Sequence, residues 1–69
     1  VPINKLGDYK KSKEIFEKVL KIQENYYGNN NIQTMTTLIN LANCFHQTGN
    51  YKKSKEIFER VLKIQENYY

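Results

Sequence analysis

GDYKKSKEIFEKVLKIQENYY at residues 7–27 and GNYKKSKEIFERVLKIQENYY at residues 49–69 are nearly the same sequence written twice, at a constant offset of 42 residues. Only two positions differ, and both exchanges keep the local physics. Asp8 and Asn50 can each cap a helix N-terminus, and Lys18 and Arg60 are each a solvated cation. Self-similarity at a period of about 20–50 residues marks stacked repeat units, none of which buries its apolar face alone. The chain is therefore expected to be a piece of a repeat array, with its function in a surface and not in a catalytic pocket.

Working outward from the repeated block, the chain divides into three helical segments. From Tyr9 the residues expected to face inward are Ser12, Ile15, Phe16, Val19, Leu20 and Tyr26, at spacings of three and four, with Gly7 and Asp8 starting the helix. Gly28 can end it in the left-handed conformation, and the asparagines at 29–31 can cap the next. A second apolar stripe runs from Ile32 through Met35, Leu38, Leu41, Ala42 and Phe45 to Gln47-Thr48-Gly49. Asn50 then caps a third helix that duplicates the first. Period-two alternation is absent and the only proline is Pro2, so nothing argues for strands. Short connections imply antiparallel neighbours. The expected fold is all-α, an antiparallel helix-hairpin solenoid fragment, divided into residues 1–6 (non-repeat), 7–27 (one helix) and 28–69 (a full 42-residue unit).

With 69 residues the chain forms one small domain, and a chain of this size buries only about 60% of the surface exposed when unfolded. Hydrophobic residues are 39% and charged residues 26% of the total, and no apolar run approaches the roughly 18 residues needed to cross a bilayer. Neither a membrane span nor a signal peptide is expected. A single cysteine, Cys44, excludes an internal disulfide and points to a reducing compartment, with cytoplasm as the default.

The net charge of +4 and the clusters Lys10, Lys11, Lys13 and Lys52, Lys53, Lys55 raise the question of nucleic acid. The spacing argues against it. Lys10 precedes Glu14 by one turn, Lys13 precedes Glu17, and those carboxylates precede Lys18 and Lys21; in the second copy Glu56 precedes Arg60 and Glu59 precedes Lys63. Interleaved opposite charges describe a solvated face, since carboxylates would repel the phosphates that a binding stripe must grip.

Leu38, Leu41, Ala42 and Phe45, followed by Gly49, Tyr51, Ser54, Phe58 and Val61, resemble the tetratricopeptide repeat, in which helix A carries a large residue, Leu-Gly and an aromatic, and helix B a small residue and an aromatic. The 42-residue period and YYGNNNIQTMTTLINLA from Tyr26 to Ala42 are similar to the longer repeats of kinesin light chains and their prokaryotic and protist relatives. The resemblance implies the order helix B, helix A, helix B. The chain departs from the family at Ser12 and Ser54, where alanine is usual, at Val19 and Val61, and in a loop without the usual proline. Upstream of Gly7 the match stops, because VPINKL shares little with the Asn43–Thr48 segment that precedes the second copy.

That order leaves the outer helices short of partners. Ile15, Phe16, Leu20 and their copies Ile57, Phe58, Leu62 are each worth about 1.5 to 3 kcal/mol if fully buried. Leaving several uncovered should drive association, so the isolated chain is expected to form homo-oligomers or to belong to a longer array.

If the apolar stripe of helix A faces its partners, Thr36, Ile39, Asn40, Asn43, His46 and Gln47 occupy the remaining stripe. By the resemblance, that stripe lines a concave groove that holds an extended peptide of a partner protein, with asparagine amides bonding the peptide backbone and Asn40 and Asn43 at matching places. His46 and Ile39 would then help to choose side chains. The plain alternative is that these are solvated polar residues, with Asn40 bonded to a neighbouring turn. Cys44 and His46 are two residues apart and point about 200° apart on a helix, so they make neither a nucleophile–base pair nor a metal clip. With one histidine, no aspartate beyond Asp8 and no glycine-rich phosphate loop, the chain offers no catalytic residues, no metal ligands and no cofactor site. The tyrosines at 26, 27, 68 and 69 are expected to cover interhelical seams with wet hydroxyls. The function expected is that of a protein-interaction scaffold. Self-assembly through exposed helix faces is the alternative, and a basic nucleic-acid module a further one.

Overall fold

A computed structural model describes residues 5–68. Three α-helices follow one another, α1 (Lys5–Tyr27), α2 (Met35–Gln47) and α3 (Tyr51–Tyr68), with a 3₁₀ turn at Ile32–Thr34 leading into α2 and no strand among the described residues. The all-α hairpin expected from the sequence is the fold observed. α2 lies between α1 and α3, which do not approach each other along their backbones. The result is a slab of 42 × 22 × 16 Å, about one helix pair thick.

The connections form as the local sequence dictates. After α1, Gly28 takes φ +87° and its N–H donates to the Glu24 carbonyl at 2.9 Å, closing the last turn. Asn30 also adopts a positive φ of 59°, tolerable because asparagine supports the left-handed region better than most side chains. Asn31 then caps the 3₁₀ turn. Its Oδ1 accepts from the Gln33 N–H at 2.9 Å, while its carbonyl accepts from the Thr34 N–H at 2.9 Å and the Thr34 hydroxyl at 2.7 Å.

At the other end of α2 the Gly49 N–H donates to the His46 carbonyl at 3.1 Å, and the Asn50 N–H reaches back to Phe45 at 2.8 Å. These two bonds define a Schellman closure with Gly49, at φ +87°, as the left-handed residue. The Thr48 hydroxyl donates to the carbonyls of Cys44 and Phe45, at 3.0 and 3.1 Å. Asn50 then opens α3, its Oδ1 accepting from the Lys53 N–H at 3.4 Å.

Gly7 behaves differently from its copy. The sequence placed a helix start at Gly7 and Asp8, but α1 is already helical at Lys5 and both residues lie inside it. The chain ahead of Gly49 is a helix that must end and reverse, whereas the chain from Lys5 to Gly7 continues in one direction. Of the expected non-repeat segment 1–6, residues 1–4 lie outside the described residues, as does Tyr69.

The core is a single cluster of Leu20, Leu38, Leu41, Ala42, Phe45, Ile57, Val61 and Ile64, with Phe16, Ile32, Met35 and Ile39 packed against it. The apolar stripe expected for α2 is therefore the one buried. The two copies divide their apolar residues in opposite ways. Leu20 is 9% exposed and its copy Leu62 54%, while Ile64 is 2% exposed and its copy Ile22 68%. Ile57 and Val61 are buried, and Ile15 and Val19 are exposed. The inward assignment of Ile15, Val19 and Tyr26 in α1 is thus corrected. These helices carry apolar residues on two faces, and α2 is present to cover one face of each. Tyr26 stacks edge-on with Tyr27, centroids 4.8 Å apart, and both rings lie at the surface.

Candidate functional site

α2 is held on two sides, which decides what it can present. Thr37, Leu38, Leu41, Ala42, Cys44 and Phe45 are buried against its neighbours. Apart from Met35, which packs partly against the core, the remaining positions cover an arc of about 120° at 100° per residue. That arc contains all six residues singled out from the sequence. Asn43 lies at its centre, with Thr36 and Gln47 within about 40° of it on the Asn40 side, one toward each end of the helix, and all three are exposed. Asn40 is half-buried on one margin.

Ile39 and His46 occupy the other margin and are less available. Ile39 packs partly against the core. The His46 imidazole stacks edge-on against the Tyr51 ring of α3, centroids 4.9 Å apart. His46 is therefore shared between the arc and an open, mostly apolar groove of about 570 Å³, lined also by Tyr51, Ser54, Lys55, Phe58, Glu59 and Leu62. Within the described residues the amides of Asn40 and Asn43 make no hydrogen bond, and the exposed Asn43 keeps its full donor and acceptor complement facing solvent while Asn40 is half-buried. Among the described residues no hydrogen bond joins Asn40 to the neighbouring turn, the alternative considered for it.

A set of polar clamps locks α1 onto α2 and α3, and none of them was foreseen. Lys13 places its ammonium 5.4 Å from the centroid of Phe45, a cation–π contact in place of the outward solvated position expected for it. Gln23 Nε2 donates to the Gln33 carbonyl at 3.4 Å, while its Oε1 is buried without a partner. Arg60 of α3 reaches over to Glu24 at 2.9 Å and is also within 3.4 Å of Asn30 Oδ1. The offset of 42 carried a signal for one of these: Arg60 replaces lysine where a planar, multi-donor head can serve two acceptors at once.

Cys44 is buried while His46 is exposed, so the two lie on different sides of α2, as their spacing required. Burial pushes the Cys44 thiol up from its ordinary value of 9.0, with the nearby Lys13 charge acting in the opposite direction. Among the described residues no group of three His, Cys, Asp or Glu side chains converges as a metal site. No helix among them is long and apolar enough to cross a membrane.

No curated protein and no solved structure matches the chain. The family model described as tetratricopeptide repeat matches residues 3–67, nearly the whole length. Two helical hairpins sharing α2, turning at Gly28 and Gly49 and burying Leu38, Leu41, Ala42, Phe45, Ser54 and Val61 of the repeat pattern, agree with that match, and the chain belongs to the tetratricopeptide repeat family.

Proposed function

We propose that the exposed arc of α2 is a docking face for an extended segment of a partner protein. Membership of a family of protein-interaction modules supports a protein partner in general. The observation that carries the finer reading is Asn43. It stands at the centre of the only exposed arc of a helix fixed on both flanks, with its amide unengaged by the described residues. A rigid helix presenting a free amide can bond both the N–H and the C=O of an extended backbone, and the ordering cost then falls on the incoming segment alone. Asn40 extends this polar row, Thr36 and Gln47 continue it along the axis, and Ile39 and His46 supply an apolar edge for side-chain choice.

The 42-residue unit with its asparagine-rich loop supports a kinesin-light-chain-like variant of the repeat. A free, buried cysteine fits a reducing compartment, and cytoplasm is the location we infer. Nucleic acid fits less well, because Arg60 is already paired with Glu24 and Lys13 lies over Phe45.

Fluorescence anisotropy against a peptide library tests the reading. Asn43→Ala should weaken a selected peptide about 3- to 10-fold, the worth of one or two backbone hydrogen bonds. Binding indifferent to that substitution would remove the site. Affinity falling by about 10³ or more between 50 and 200 mM salt would mark a polyanion site instead.

A further inference from the structure

The outer face of α3 is a second copy of a face whose complement is visible in this molecule. α1 docks on α2 through Phe16 and Leu20, with Lys13 over Phe45, Gln23 on the Gln33 carbonyl and Glu24 on Arg60. At the offset of 42, α3 carries Lys55, Phe58, Leu62, Gln65 and Glu66, identical at every one of those positions. On α3, Lys55, Phe58, Leu62 and Glu66 are exposed and Gln65 is half-buried, and Lys55, Phe58 and Leu62 line the open groove along the helix. None of the three polar contacts has an equivalent made by Lys55, Gln65 or Glu66 among the described residues. What fits this face is therefore a helix with the chemistry of α2.

A second copy of this chain carries such a helix, and its α2 accepts an incoming α3 only where its own α1 sits. We propose that α3 of one chain takes the seat of α1 in another. In the exchanged contact Phe58 and Leu62 replace Phe16 and Leu20. Lys55 lies over the neighbour's Phe45, and Glu66 pairs with the neighbour's Arg60, so charge as well as shape is complementary. The contact is head-to-tail. Each added chain leaves its own α3 open for the next, which makes the assembly open-ended.

The resident α1 competes through its tether. The loop 28–31 holds it at an effective concentration in the millimolar range, and both helices offer the same side chains. Exchange in the wild-type chain therefore sets in only as the chain itself approaches about millimolar. Its consequence is unusual, because weakening α1 should increase association. This assembly is independent of the peptide-docking reading, since none of its residues lies on the exposed arc of α2 apart from the shared margin at His46.

Sedimentation across a concentration series, with helicity followed by circular dichroism, tests it on four chains: wild type, Leu62→Asp, Leu20→Asp and the double variant. Leu20→Asp should shift association to concentrations at least about 10-fold lower, with size growing continuously. Leu62→Asp, at an exposed position, should stay monomeric where wild type associates, and the double variant should return to monomer. Association of the double variant equal to that of Leu20→Asp would assign it to another surface and overturn the proposal. So would wild type and Leu62→Asp associating alike, or wild type staying monomeric at several millimolar. Should Leu20→Asp lose its helicity altogether, the comparison of wild type with Leu62→Asp decides alone.

Discussion

Ile22 and Ile64 occupy the same place in the same repeated sequence, yet one stands in solvent and the other is sealed in the core. Leu20 and Leu62 show the reverse. The two blocks differ only at Asp8/Asn50 and Lys18/Arg60, neither of which alters the apolar pattern, so burial here is conferred by the neighbouring helix and not by the residue or its local pattern. A helix with two apolar faces stays incomplete until both are covered, and the three-helix chain covers one face of α1 and the opposite face of α3.

The sharpest way to break that comparison is to truncate the pair. Ile64→Ala should cost about 2 to 5 kcal/mol, the usual cost of a cavity in a packed core, and in so small a domain this approaches the whole stability. Ile22→Ala should stay within about 0.5 kcal/mol. Urea unfolding followed by circular dichroism measures both, and similar costs would show that α1 is covered on its outer side in solution.

The paired glycines sharpen it further. Gly49→Ala puts a side chain at φ +87° and should destabilise by about 1 to 2 kcal/mol through backbone strain, since a methyl group there meets no atom within 4 Å. Gly7→Ala, inside α1, should stabilise by about 0.5 to 1 kcal/mol. The two thermal shifts are expected to have opposite signs. A smaller contrast separates the carboxylates. Glu24→Gln should cost up to about 1 kcal/mol, because its partner Arg60 is partly exposed, and Glu66→Gln close to nothing. Salt should shrink the first effect and leave the second unchanged.

The weakest expected effect is one of pH. The folded Cys44 thiol holds its proton more tightly than the unfolded one, so its contribution to stability is complete below the ordinary value of 9.0 and declines as pH rises above it. Cys44→Ala should remove that part of the alkaline slope, measured as the difference between the two urea midpoints at pH 8 and pH 10.

Much of the fold was legible in the residues. The stripe from Met35 to Phe45 and the punctuation at Gly28, Asn31, Gly49 and Asn50 fixed three helices and two turns, because helix periodicity and left-handed caps are local properties. The arc of α2 was legible for the same reason: once Leu38, Leu41 and Phe45 face inward, Asn43 has to face out. The orientation of α1 was not, since the choice between its Ile15-Val19-Ile22 face and its Phe16-Leu20 face depends on which neighbour exists. The clamps of Lys13, Gln23 and Glu24 were hidden likewise, since each joins groups 10 to 36 residues apart in the sequence. Charge pattern alone placed Lys13 in water.

The absence of backbone contact between α1 and α3 has a kinetic consequence. Backbone packing joins only α-helices that follow one another in the chain, across connections of a few residues. The Arg60–Glu24 pair is the one long-range clamp between α1 and α3 among the described residues, so most of the structure orders without first closing a long loop. Topologies dominated by such local contacts fold in microseconds to milliseconds. This protein should therefore refold within that window after dilution from denaturant. Its amides should exchange with deuterated solvent fastest in α1, which can open while the α2–α3 hairpin stays closed.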